Sequence, residues 1–230
     1  MSRANELVHT VESALDSSNW TLPYSVANIR GLVGPDFKQF LHTVVAAPLV
    51  KRYLEIGAWE GSSTISALYE NINKLDKHWI VDNWSECFLR QPPGAAKDGF
   101  TRNWNAHITQ PPNLIDADSF AINPSDYGMS NIDVYFYDGG HTEEQQKKAL
   151  THYIDCMAPQ FIYIVDDWKW ERVRKGSTQG ITELGLKVLW SKEITTEGPG
   201  LSPAVPLWPG HSGTEGWANG TGIFVLERSV

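Results

Sequence analysis

The segment Tyr53-Leu-Glu-Ile-Gly-Ala-Trp-Glu-Gly-Ser-Ser-Thr64 runs from a short apolar stretch containing a carboxylate, Glu55, through two glycines, Gly57 and Gly61, into residues that suit the start of a helix. Strand, tight turn and helix in that order open a βαβ unit, and ligands of such sheets sit beyond the carboxyl ends of the strands. The sequence downstream repeats the theme. Short β-like runs at 52–56, 78–81, 113–115, 132–137 and 161–165 alternate with longer helical stretches. That alternation predicts right-handed crossovers and a parallel sheet covered on both faces.

After Gly180 the pattern changes. Residues 186–194 and 222–228 read as two strands with no helix between them, which predicts an antiparallel pair. The expected fold is therefore α/β: a Rossmann-like, doubly wound, mostly parallel seven-stranded sheet with an antiparallel C-terminal pair. The connection 195–221 holds ten Gly and Pro residues, and a loop of that length is expected to serve function, here as a lid. Upstream, Leu7, Val8, Val11, Ala14 and Leu15 recur at helical spacing, as do Phe37, Phe40, Leu41, Val44 and Val45 between Pro35 and Pro48. Residues 1–47 are expected to form a helical extension closing over the acceptor, and 48–230 the ligand-binding domain.

Composition narrows the function classes. The 230 residues are 41% hydrophobic and 20% charged, as in a folded globular chain. Nineteen basic against 27 acidic residues leave a net charge of −8, which disfavours nucleic acid and anionic membranes as partners. Cys87 and Cys156 are too few for a disulfide framework, and the first twenty residues lack the apolar run of a signal peptide, so a cytoplasmic chain with reduced thiols is expected.

In the glycine turn, Ala58 and Trp59 stand where a dinucleotide-binding turn carries its second glycine, which impairs a pyrophosphate cradle. An adenosine ligand without phosphate and with an amino-acid tail suits Trp59, and Glu55 suits its ammonium group. The set Glu55, Gly57, Gly61 and Ser63 resembles motif I of class I S-adenosylmethionine-dependent methyltransferases, and the similarity extends over most of 36–228. The resemblance implies that Asp82, with Asn83 beside it, grips the ribose hydroxyls at the end of the second strand. It also implies that Asp118 and Ser119 approach the adenine edge after the third strand. Each has a plainer reading as well, as a turn or cap residue.

Two further strand ends are acidic, Tyr137-Asp-Gly-Gly-His141 and Val165-Asp-Asp-Trp168. Adjacent strands lie about 4.8 Å apart, and two like charges about 5 Å apart repel by roughly 3 kcal/mol at an effective dielectric of 20. Asp138, Asp166 and Asp167 are thus expected to hold a divalent cation, Mg²⁺ first, while Thr142 with Gln145 caps the following helix and leaves Asp138 free. This constellation resembles metal-dependent O-methyltransferases, closest to the macrocin/mycinamicin and cephalosporin-hydroxylase-like group. It departs from the catechol branch in having Asp167 and His141 where that branch has Asn and Lys. The implied chemistry is methyl transfer to a substrate hydroxyl, with Asp138 at the reacting centre and His141 as proton acceptor.

Of ten tryptophans, Trp59, Trp84, Trp104, Trp168, Trp208 and Trp217 fall in or beside expected loops. They suggest a small hydroxylated ring, sugar or phenol, as acceptor, or a homodimer contact. Two other functions compete: a non-catalytic adenosine- or carbohydrate-binding protein of this fold, and a nicotinamide dehydrogenase.

Overall fold

The computed structural model describes residues 1–16, 20–85, 92–196 and 214–228. Strand β1 (Arg52–Ile56) is buried on both sides: Tyr53 and Glu55 face one layer, Leu54 and Ile56 the other. The same holds for β4 (Ile132–Tyr137), every residue of which is buried. Two-sided burial is what a sheet covered by helices on both faces requires.

Beside these lie β2 (Lys77–Asp82), β3 (Leu114–Asp116), β5 (Met157–Val165), β6 (Lys187–Ile194) and β7 (Thr221–Glu227), in the order β3-β2-β1-β4-β5-β7-β6. The first five strands pair in parallel; β7 is antiparallel to β6, as the sequence pattern predicts, and also to β5. Strand order reverses between β1 and β4, which makes their carboxyl ends the topological switch point. Strand β5 begins four residues earlier than expected. Pro159 hides that extension, and the β4–β5 register shifts between Ile132 and Val134.

One face carries α1 (Arg3–Asp16), α3 (Pro35–Ala46), α4 (Ser62–Leu68) and α5 (Ala95–His107) over Val134, Phe136, Ile162 and Ile164. The other carries α6 (Glu143–Tyr153) and α7 (Glu171–Glu183) over Tyr135, Tyr137 and Tyr163. The N-terminal helices α1 and α3 contribute a layer of the core, with Leu7, Val11, Phe37 and Phe40 almost wholly buried. A single turn, α2 (Tyr24–Ala27), lies between them; it is too short for periodicity to show. The remainder of the expected lid, including Trp208 and His211, lies outside the described residues, as does Cys87. Among the described residues no helix is long and apolar enough to cross a membrane.

At the amino edge of the sheet Asp133, only 6% exposed, ties three segments together. Its Oδ2 accepts from the amides of Lys51 (2.7 Å) and Arg52 (2.9 Å), and its Oδ1 pairs with Arg3 of α1. Asp133→Ala leaves those amides and Arg3 without their acceptor and should lower the unfolding free energy by about 2–3 kcal/mol. Urea denaturation of the variant against the parent chain measures it.

Candidate active site

The turn after β1 is built around a close approach. Gly57 has φ +90°, and a β-carbon there would lie 2.0 Å from the carbonyl oxygen of Asp138, so only glycine lets the turn pass the end of β4. Two amide bonds, Gly57 N to Val81 O (2.9 Å) and Asp138 N to Ile56 O (2.8 Å), extend the parallel ladder past the strand ends. Gly61, also left-handed at φ +86°, caps α4.

Asp82 fixes the middle of this turn. Its Oδ2 accepts from the amides of Ala58 (2.7 Å) and Trp59 (2.8 Å), its Oδ1 from the amide of Trp84 (2.7 Å), and the Trp84 indole donates to the carbonyl of Trp59 (2.8 Å). Trp59 (φ 44°) and Trp84 (φ 47°) both hold left-handed backbone that bulky residues rarely adopt, and such strain persists only where neighbours impose it. Asp82 was expected on ribose hydroxyls. It organises the turn, and Oδ1 keeps acceptor capacity for a ligand.

Other residues expected at the ligand are held by protein partners. Glu55 is fully buried beneath α4, with Oε1 accepting from Ser63 Oγ (2.6 Å) and Thr64 Oγ1 (2.9 Å) and Oε2 from Tyr53 Oη (2.7 Å). Ser63 Oγ is thereby engaged by Glu55, and Glu55 lies buried under the turn. Burial pushes the Glu55 carboxyl up to about 7 against the pull of its three hydroxyl donors. Asn83 and Asp118 are exposed and accept from the amides of Ser85 (3.1 Å) and Phe120 (2.8 Å), while the Ser119 carbonyl accepts from Tyr153 Oη (2.6 Å). They line the β2–β3 end of the edge.

At the ends of β4 and β5 the structure brings together Asp138, His141 and Asp167, one donor atom from each lying within 4.8 Å of the others. His141 Nε2 is 2.6 Å from Asp167 Oδ2, yet the oxygen lies off the line a ring hydrogen bond needs, leaving a shielded nitrogen without an aligned partner. Asp166, expected in the donor set, is not in this group; it is buried beside Asp138, and His141 completes the group with Asp138 and Asp167. The backbone at Asp167 sets that carboxylate. It turns left-handed (φ 56°) and is held so by Asn219 Nδ2 on Oδ1 (2.6 Å) and by the amides of Trp168 on Gly220 O (3.2 Å) and Lys169 on Asn219 O (2.8 Å). Burial drives the Asp138 carboxyl well above its usual range, with Asp166, Asp167, Glu55 and Asp82 adding to it; burial and then Asp167 do the same to Asp166. Two oxygens and an imidazole nitrogen fit a divalent ion, and the nitrogen favours Mn²⁺, Co²⁺ or Zn²⁺ over Mg²⁺.

The aromatic lining also differs from expectation. Trp104 lies on α5, 2% exposed, and Trp168 is 1% exposed against Gly222 and Phe224. Trp217 packs on Phe37 and Phe40. Trp59 and Trp84 remain at the turn, joined by Trp170, whose ring meets His141 edge-on at 4.9 Å and carries Arg172 at 4.7 Å. Trp170 is placed by a local turn, its amide donating to the carbonyl of Asp167 (2.9 Å), whereas Asn219 reaches the site through the β5–β7 pairing, which no local motif announces.

A sequence profile for the family described as "Methyltransferase domain" matches residues 54–168, half of the chain. No curated protein matches by sequence. Among solved structures the chain is similar to the O-methyltransferase TomG from Streptomyces achromogenes in complex with SAM (14% identity, TM-score 0.57, covering 99% of this chain and 91% of that one). It is also similar to the SAH-bound methyltransferase PaMTH1 of Podospora anserina (10%, 0.59, 100% and 98%). A third likeness is to the O-methyltransferase from Bacillus cereus in complex with SAH (12%, 0.55, 97% and 90%). At these identities the likeness is one of fold.

The buried Glu55 makes stability depend on pH. The unfolded carboxyl ionises near 4.5 and the folded one near 7, so between these values the unfolded state sheds a proton that the folded state keeps. Stability should fall as pH rises through that window, by on the order of 3 kcal/mol from this group, and stay level above it. Denaturant titrations at about pH 5 and pH 8 should show a smaller difference for Glu55→Gln than for the parent chain.

Proposed function

The chain belongs to the methyltransferase-domain family, and we propose that it transfers the methyl group of S-adenosylmethionine to a hydroxyl oxygen of a small ring-bearing molecule, a sugar or a phenol, assisted by a divalent cation. The observation that carries this reading is the meeting of the glycine turn with Asp138, His141 and Asp167 at one edge of the sheet. The SAM bound to TomG and the SAH bound to the Bacillus cereus and Podospora anserina proteins support the choice of donor. The acceptor class rests on Trp59, Trp84 and Trp170 around an acidic, cation-seeking edge.

The donor supplies an electrophilic methyl on a cationic sulfur, and a divalent ion would supply a lowered pKa to a hydroxyl beside it. The rest falls to the chain itself. Gly57 lets the turn lie against Asp138 and Gly61 lets it pack on Ile65 and Phe100, and Asp82 fixes the turn by holding the amides of Ala58 and Trp59. Burial and the neighbouring carboxylates penalise the ionised form of Asp138, and a cationic donor beside it would relieve that penalty. Asp138, Asp167 and the Nε2 of His141 would hold the ion, with Asn219 orienting Asp167. Burying an anionic oxygen against a sulfonium favours transfer, because both charges disappear, and orientation of the two reactants supplies the remainder.

The 2.6 Å approach of Asp167 to His141 supports a second reading, in which the carboxylate orients the imidazole as a proton acceptor and no ion is used. Chelation separates the two, and Asp167→Asn tests the carboxylate that both require, because asparagine tolerates left-handed backbone and can keep the Asn219 contact. Calorimetry should show micromolar SAH binding to both proteins. Product formation by mass spectrometry should fall about 100-fold on chelation and comparably in the variant. Transfer that survives chelation but is lost in Asp167→Asn selects the ion-free reading. Absence of SAH binding by the parent chain refutes both.

A further inference from the structure

We infer that Arg30, from the segment between α2 and α3, is a positioning residue for the cofactor turn: its guanidinium sets the orientation of the Trp59 ring. The inference rests on the reading that this turn holds S-adenosylmethionine. It begins with the way the segment is fastened. Lys38, buried in α3, donates from Nζ to the carbonyls of Ala27 and Ile29, both at 2.9 Å, and Ser62 Oγ donates to the same Ile29 carbonyl at 3.2 Å. Gly31 lies so close to α4 that a β-carbon on it would fall 2.2 Å from Ser62 Cβ. The backbone on either side of Arg30 is therefore pinned to the first turn of the helix that the glycine turn opens.

From that fixed point the side chain reaches two consecutive residues of the turn. Nη1 pairs with Glu60 Oε1 at 3.2 Å, and Cζ stands 5.2 Å from the centre of the Trp59 ring. Glu60 is itself clamped. Its side chain is 6% exposed and packs on Gly99 of α5, where a β-carbon would come within 2.9 Å of it, and its carbonyl accepts from Asn103 Nδ2 at 2.9 Å. Asp82 and Trp84 hold the main chain of Trp59; Arg30 acts on its ring.

The backbone gives the reason for holding the ring: Trp59 occupies left-handed backbone, which is tolerated only when its surroundings impose it. On the guanidinium's open side lies a cleft of about 590 Å³, lined by Arg30, Glu60, Asp98 and Arg102 among others. A planar cation is suited to the task, because it can lie against an aromatic ring and bond to a carboxylate at the same time, which a lysine ammonium does less well.

The test uses Arg30→Ala and Arg30→Lys in the full chain. SAH affinity is measured by calorimetry, KM and kcat by steady-state methyl transfer, and the Trp59 indole resonance by ¹⁵N NMR of the ligand-free protein, assigned with Trp59→Phe. Arg30→Ala should weaken SAH binding roughly tenfold and raise KM for S-adenosylmethionine far more than it lowers kcat, with Arg30→Lys between the variant and the parent. The Trp59 resonance should shift or broaden in Arg30→Ala while the other indole signals stay in place. An SAH affinity within twofold of the parent, or an unmoved Trp59 signal, overturns the inference. If the parent chain does not bind SAH, the reading of the turn fails, and the Trp59 resonance then decides the role of Arg30 by itself.

Discussion

The carbonyl oxygen of Asp138 stands where a β-carbon on residue 57 would be, and the architecture of the site follows from that contact. Because residue 57 is glycine, the turn leaving β1 can lie against the end of β4, with ladder hydrogen bonds running one step beyond both strands. This draws the switch point into a single surface where the carboxylate of Asp138 and the amides of the glycine turn are neighbours. A larger residue would push the turn away from the end of β4 and so from the group Asp138, His141 and Asp167.

That closeness has an electrostatic cost. Glu55, Asp82, Asp138, Asp166 and Asp167 crowd the carboxyl ends of four strands, and mutual repulsion adds to burial in raising Asp138 and Asp166. The structure relieves part of it locally: three hydroxyls on Glu55, three amides on Asp82, and Asn219 on Asp167. What remains favours positive charge, which suits a sulfonium donor and a divalent ion alike.

The strands could be read because apolar runs of five or six residues leave little choice in a chain of this composition, and the glycine turn because its spacing is tied to a close approach. The capping box at Thr142 and Gln145 was equally legible, being a local exchange of two hydrogen bonds. The donor set was only partly so. That Asp167 meets His141 goes with the left-handed backbone at Asp167, which is held by Asn219 and Gly220, just before β7 and some fifty residues later. Trp104 looked like a loop residue because helix α5 begins after the poorly patterned stretch that follows β2, and its burial depends on packing against Phe100 and His78. The core role of α1 and α3 likewise depends on which face of the sheet stood uncovered.

The central claim is that one edge of the sheet holds both a sulfonium donor and a metal ion. The most direct measurement is a crystal structure of the protein with SAH and Mn²⁺, using anomalous diffraction to locate the ion. The account predicts SAH over the Gly57–Gly61 turn and a single anomalous peak among Asp138, His141 and Asp167. SAH bound elsewhere, or a turn occupied with no peak between those three side chains, would contradict it.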